Sequence, residues 1–190
     1  MTLVVVVMAP RTDAPGGDLE GARKKAEPCA ACHGADGNAS IPGTPSLAGM
    51  PNFYTHWQLI MYRDGRRRDP QMSPFAVNLS DADMADLAAY YATQIPRTRP
   101  AVIDPRRAAS GQPLALQHNC ISCHGPRLLG QQGVPRLAGQ DFDYLLKRLR
   151  GYKSKTTSDL DGMMTMVAQP LTEADIENLV HFMAGLATQP

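Results

Sequence analysis

An all-α chain made of two tandem domains is what this sequence predicts, and three observations carry the prediction. First, the chain repeats itself: Cys29-Ala30-Ala31-Cys32-His33-Gly34 returns as Cys120-Ile121-Ser122-Cys123-His124-Gly125, and later blocks return at nearly the same offset. Second, apolar residues recur at helical spacing in both copies, and no segment sustains the alternation of a strand. Third, a proline-rich stretch from Ile95 to Pro105 separates the copies.

The elements follow in order. Residues 1–17 form an N-terminal extension whose apolar run, Leu3 to Ala9, falls short of the roughly 18 residues that a membrane helix needs. It reads either as a signal remnant, with Val7-Met8-Ala9 before the cut, or as a short strand or misassigned start. The first domain, 18–95, is expected to hold helices near Leu19 to Ala26 and Phe53 to Arg63. It closes on a helix opened by Ser80 and Asp83 and lined by Met84, Leu87, Ala88 and Tyr91. Prolines make residues 96–105 a semi-stiff extended linker. The second domain, 106–190, begins with a helix that Gly111-Gln112-Pro113-Leu114 should shorten and confine near Leu114 to Asn119. A helix over Phe142 to Lys153 and a closing helix opened by Thr172 and Asp175 complete it, with Ile176, Leu179, Val180 and Met183 on the apolar stripe.

The repeat reaches well beyond the cysteines. Pro45-Ser46-Leu47-Ala48-Gly49 matches Pro135-Arg136-Leu137-Ala138-Gly139, and Tyr54, Leu59 and Tyr62 match Tyr144, Leu149 and Tyr152. Met72, Leu79, Ser80 and Asp83 match Met164, Leu171, Thr172 and Asp175.

Composition removes several function classes. Nineteen basic against eighteen acidic residues leave a net charge of +1, which argues against a protein that coats nucleic acid. With 43% hydrophobic and 19% charged residues the chain is globular, yet aromatics make up only 6%. Two domains of this size have thin protein-only cores, so a bound cofactor would help each one fold.

C-x-x-C followed at once by His is the attachment signal for a c-type haem. Two thiols three positions apart can each add to a vinyl group, and the next residue is then held beneath the iron as proximal ligand. A zinc ribbon would set its cysteine pairs some 15–20 residues apart, and a thioredoxin-like dithiol would need a βαβ context. Methionine is the default sixth ligand in an electron carrier. Met72 and Met164 each lie seven residues before the Leu-Ser/Thr that opens the closing helix, a register that Met163 and Met166 do not keep. His56, His118 and His181 have no repeat partner and read as surface or packing residues.

These motifs resemble the tandem di-haem cytochromes of the cytochrome c4 family, built from two class I cytochrome c domains, each wrapped around one covalent haem. The likeness spans residues 18 to 190 and rests on C-x-x-C-H-G, P-x-L-A-G, and Met followed by L-[ST]-x-x-D. It implies that the Pro45 carbonyl orients His33, that the Pro135 carbonyl orients His124, and that Leu47 and Leu137 press on the haems. Two departures stand out: Met50 takes the place of the glutamine that Gln140 keeps, and the first helix of the second copy is interrupted by proline.

The function implied is a soluble or peripherally associated periplasmic carrier of single electrons, with no small-molecule substrate, no nucleic acid and no membrane span. Its partners would be a quinol-oxidising complex or dehydrogenase on one side and a terminal oxidase or reductase on the other. The alternative is an electron-accepting subunit of a dehydrogenase, as in the related flavocytochrome c; a third reading, a di-haem peroxidase, needs one open iron. Arg63, Arg66, Arg67 and Arg68 precede Met72, while Lys147, Arg148, Arg150, Lys153 and Lys155 precede Met164. These clusters read either as solvated helix faces or as rims that meet acidic redox partners.

Overall fold

A computed structural model describes residues 19–157 and 159–188, so both readings of the apolar run at Leu3 to Ala9 lie outside the described residues. The first half runs α1 (Leu19–Lys25), α2 (Glu27–His33), α3 (Asn52–Arg63), α4 (Ser73–Ala76) and α5 (Asp81–Thr93). The second repeats it as α6 (Pro105–Gln117), α7 (Cys120–His124), α8 (Phe142–Lys153), α9 (Met163–Ala168) and α10 (Glu173–Gly185). Among the described residues the sole strand-like pairing is an isolated bridge between Gln131 and Val134. The chain is all-α.

In each half the closing helix is the hub: α1 and α3 pack on α5, and α6 and α8 pack on α10. Local chemistry sets where both hubs begin. Ser80 accepts from the Asp83 amide at 3.1 Å while the Asp83 carboxylate accepts from the Ser80 amide at 3.1 Å. Thr172 and Asp175 repeat this reciprocal cap at 3.1 and 2.8 Å. Lys25 of α1 ties into the first cap, reaching Asp83 at 2.8 Å and Asp86 at 2.7 Å. That ammonium, then Ser80, holds the Asp83 carboxyl down at about 2. The apolar stripes point inward: Leu87 and Tyr91 are buried in the first half, and Ile176, Leu179, Val180 and Met183 in the second.

α6 departs from the sequence expectation. It is a full 13-residue helix with Pro113 inside it. Asp104 caps it by accepting from the amides of Arg106 and Arg107 at 2.8 and 3.3 Å, and Pro105 occupies the first turn, where its missing N–H costs nothing. Pro113 removes one hydrogen bond, but α6 seats Gly111 and Ala115 directly against α10. The approach is so close that a Cβ at Gly111 would lie 2.1 Å from the Asn178 carbonyl. Packing on the hub outweighs the interruption.

The two halves meet through a polar junction. Gln140, 2% exposed, accepts from the Ser46 amide at 2.7 Å and donates to the Ser46 carbonyl at 3.0 Å. Asp141 accepts from the Gly43 amide at 2.8 Å and pairs with Arg99 at 2.7 Å, both side chains largely shielded. Here the departure at Met50 gains a physical meaning. Its counterpart Gln140 makes both hydrogen bonds to the Ser46 backbone, while Met50 is buried at 4% exposure.

Candidate functional site

α2 carries Cys29, Cys32 and His33, and α7 carries Cys120, Cys123 and His124. All four thiols are free; Cys29 and Cys120 are half-buried while Cys32 and Cys123 are exposed, the same arrangement in both copies. Burial raises the pKa of the Cys29 and Cys120 thiols, keeping them protonated. Each helix stops at a glycine in the left-handed region, Gly34 (φ 79°) and Gly125 (φ 83°). A Cβ at Gly34 would lie 2.4 Å from the Asn38 carbonyl oxygen, so the chain can fold back there only without a side chain.

The returning loop supplies the partner of each imidazole. His33 Nδ1 lies 2.8 Å from the Pro45 carbonyl oxygen, and His124 Nδ1 lies 2.8 Å from the Pro135 carbonyl oxygen. Since a carbonyl only accepts, Nδ1 carries the proton and Nε2 keeps its lone pair, which is the tautomer an iron ligand requires. Both rings are buried, at 4% and 5% exposure. Burial pushes their pKa values down against the opposing pull of the proline carbonyls, so they are neutral near pH 7. Leu47 and Leu137 are partly buried against the core clusters of their own halves.

One loop position is built differently in the two copies. The Gly37 carbonyl accepts from the Leu47 and Ala48 amides, and the Leu128 carbonyl accepts from the Leu137 and Ala138 amides. Gly37 has φ 76°, and a Cβ there would lie 2.7 Å from the Tyr91 ring. Leu128 holds the same left-handed turn at φ 55° while 1% exposed. At the position of Tyr91 the second half has Met183, which leaves room for the larger residue.

Met72 caps α4 and is half-buried; its amide donates to Asp69 at 3.2 Å. Met164 is also half-buried, packs on the core of its half, and has its amide held by Asp159 at 2.5 Å. Met163 and Met166 stand 47% and 59% exposed. Asp69 and Asp159, which fix the methionine-bearing turns, were not singled out from the sequence, although their spacing of 90 residues marks them as a repeat pair.

The region between α3 and α8 is strongly positive. Arg67 donates to Gln58 and, at 3.2 Å, to Tyr144, and lies 4.5 Å from the Tyr62 ring centroid. Arg148 donates to Thr157 at 2.5 Å and Tyr152 at 2.6 Å, and lies 4.7 Å from the Tyr152 centroid. Neither guanidinium meets a carboxylate among the described residues. Burial alone would raise the Tyr144 hydroxyl, but the two arginines outweigh it and bring it down to about 8. The basic clusters are therefore not uniform surface runs. Arg67 and Arg148 belong to the junction, while Arg63, Arg66, Lys147 and Arg150 already pair with carboxylates.

These features fit a haem. Each half presents two thiols and a neutral imidazole on one short helix, and a half-buried methionine at the head of α4 in one half and within α9 in the other. The positive field at the junction and the buried, unpartnered Nε1 of Trp57 suit the carboxylates that a haem carries. When bound, the group supplies one-electron Fe(II)/Fe(III) exchange.

Two such sites on two repeated helical domains define a tandem c-type cytochrome. The cytochrome c family model matches residues 20–94 and again 108–187. Cytochrome c4 of Pseudomonas aeruginosa is 36% identical over 90% of this chain and 89% of its own length. A protein named thiosulfate dehydrogenase electron acceptor, from Thiomonas intermedia, is 35% identical over 87% of this chain and 82% of its own. The crystal structure of cytochrome c4 from Pseudomonas stutzeri superposes with a TM-score of 0.82 at 32% identity, covering 90% of this chain and 99% of that one. The chain belongs to the cytochrome c4 family, di-haem electron-transfer proteins that bind two covalent haem c groups.

Proposed function

We propose that this protein carries single electrons in the bacterial periplasm, with His33 and Met72 as axial ligands of one iron and His124 and Met164 of the other. Cys29 and Cys32, and Cys120 and Cys123, carry the thioethers; Pro45, Leu47, Pro135 and Leu137 complete the haem surroundings. The domains in this reading are 18–95 and 106–190, joined by 96–105, a division supported by the two family matches. The observation that carries it is the paired geometry: each imidazole is buried and fixed through Nδ1 by a proline carbonyl at 2.8 Å. The half-buried methionine at the same register in both halves adds to it, and speaks against a peroxidase with an open iron.

The donor in this reading is a quinol-oxidising complex or a dehydrogenase, and the acceptor is a terminal oxidase or reductase. The kinship with a thiosulfate dehydrogenase electron acceptor favours a second form of it, in which the protein receives electrons from a dehydrogenase that oxidises a reduced sulfur compound. The ligand assignment is tested on the oxidised holoprotein. Met72→Ala and Met164→Ala should each remove about half of the weak far-red sulfur-to-iron band, while Met163→Ala leaves it intact. Loss of the band in Met163→Ala instead would overturn the register argument.

A further inference from the structure

Arg136 is the most deeply buried charged side chain of the described residues, at 1% exposure. It follows Pro135, whose carbonyl holds the His124 imidazole. Its Nη1 donates to the Ala138 carbonyl of its own loop, and its Nη2 reaches across the junction to the Ala48 carbonyl at 3.1 Å. Ala48 lies three residues beyond Pro45, whose carbonyl holds the His33 imidazole. Ala48 and Ala138 are equivalent positions of the repeat, so one guanidinium bridges the same carbonyl in both loops that hold an imidazole. Its Nε has no hydrogen-bond partner, and no carboxylate pairs with it among the described residues. The repeat counterpart is Ser46, so the cation exists once, not twice.

Burying an unpaired charge costs several kcal/mol in general, and a merely structural clasp could be made from neutral groups, as Gln140 does next door. Burial does not discharge the group: it lowers the Arg136 pKa only to about 10, so the side chain stays cationic at neutral pH. A fixed cation in a low-dielectric interior is weakly screened. Reduction of a haem removes one positive charge from the iron, so a nearby permanent cation favours the reduced state. We propose that Arg136 is a shared electrostatic element of the two haem sites, its charge held between the two proline loops and raising the reduction potentials of both. Its hydrogen bonds go to loop carbonyls and not to His33 or His124, so it is a positioning and tuning residue. The inference rests on the proposed assignment of His33 and His124 as ligands.

The test is spectroelectrochemical titration of both haems in the full holoprotein, comparing wild type, Arg136→Met and Arg136→Lys. Arg136→Met should lower both midpoint potentials, each by about a tenfold change in the electron-exchange equilibrium, which is 59 mV for a one-electron couple. Arg136→Lys, which keeps the charge, should stay within about threefold of wild type. Unmoved potentials in Arg136→Met, or a shift confined to one haem, would overturn the proposal. So would an Arg136→Lys that falls as far as Arg136→Met, because geometry and not charge would then be responsible. Gln140→Met loosens the same junction without touching the charge; if it lowers both potentials equally, packing explains the effect and the proposal fails. Should Arg136→Met not accumulate as holoprotein, Arg136→Gln is read by the same criteria. The far-red band of each variant reports the methionine ligands separately, so an error in ligand assignment would show there and not as a missing potential shift.

Discussion

Replacing Gln140 by methionine puts into the second half what the first half already has at the equivalent position, Met50, with little change of side-chain volume. In the native junction the Gln140 side chain makes three buried hydrogen bonds: from the Ser46 amide at 2.7 Å, to the Ser46 carbonyl at 3.0 Å, and from the Asp141 amide at 2.9 Å. Methionine can make none of them, so three backbone groups lose their partners where little water reaches. A buried polar group left unsatisfied costs about 1–3 kcal/mol. Taking the lower part of that range, because the thioether packs usefully and the loops can relax, the loss is about 3–4 kcal/mol. That is a large share of the roughly 5–15 kcal/mol that holds a typical domain folded. In thermal unfolding of the oxidised holoprotein it corresponds to a drop of roughly 10 °C. Guanidinium titration followed by circular dichroism and by haem absorbance would measure it, and the weakened junction should separate the transitions of the two halves. A loss below about 1 kcal/mol would refute the reasoning, because it would mean that these groups find other partners and that Gln140 does not bind the halves together.

Two further outcomes can be measured on the same footing. The Asp83 carboxyl is held at about 2 against an ordinary 3.8, so its contribution to stability is present above pH 4 and lost as the pH falls toward 2; Asp83→Asn should melt lower at pH 7 and converge with wild type near pH 2, and parallel melting curves across that window would contradict the role of the Lys25–Asp83 cap. Leu128→Gly should destabilise by about 2 kcal/mol, since losing a buried leucine outweighs the relief of a left-handed backbone; a more stable variant in chemical denaturation would show that strain, not packing, governs that turn.

How much of this was legible in the sequence depends on how local the determining physics is. The C-x-x-C-H segments stand out in the sequence because haem attachment needs its groups within one helical turn. The closing helices could be read because a reciprocal cap and an apolar stripe lie within a dozen residues of each other. α8 has the range expected of it, for the same reason. α6 was misread because Pro113 is a local signal against helix, whereas the packing of Gly111 on α10 that overrides it is a tertiary fact. Asp69 and Asp159 were hidden by looking like solubilising residues on the approach to a methionine. Arg67 and Arg148 were hidden in the same way: within a run of basic residues nothing distinguishes the one that turns inward.

What does distinguish them is the broken symmetry of the repeat. A duplicated chain that docks on itself places equivalent residues face to face, so a cation kept in both copies would meet its twin. At the equivalent positions 58 and 148 the residues are Gln and Arg, and at 67 and 157 they are Arg and Thr. Each pair still brings one guanidinium over a tyrosine of its own half, Arg67 over Tyr62 and Arg148 over Tyr152. The guanidinium comes from the loop after α3 in one half and from α8 in the other, so each half brings one guanidinium to this tyrosine-lined part of the junction. The repeat pairs Ser46/Arg136 and Met50/Gln140 follow the same rule, a small or apolar residue in one copy and the hydrogen-bonding group in the other. The second half thus holds side chains whose partners lie in the first: Gln140 needs the Ser46 backbone, Arg136 needs the Ala48 carbonyl, and Asp141 needs the Gly43 amide. At Gln140, Arg136 and Asp141 the copies differ, and those differences supply the contacts that join the two domains.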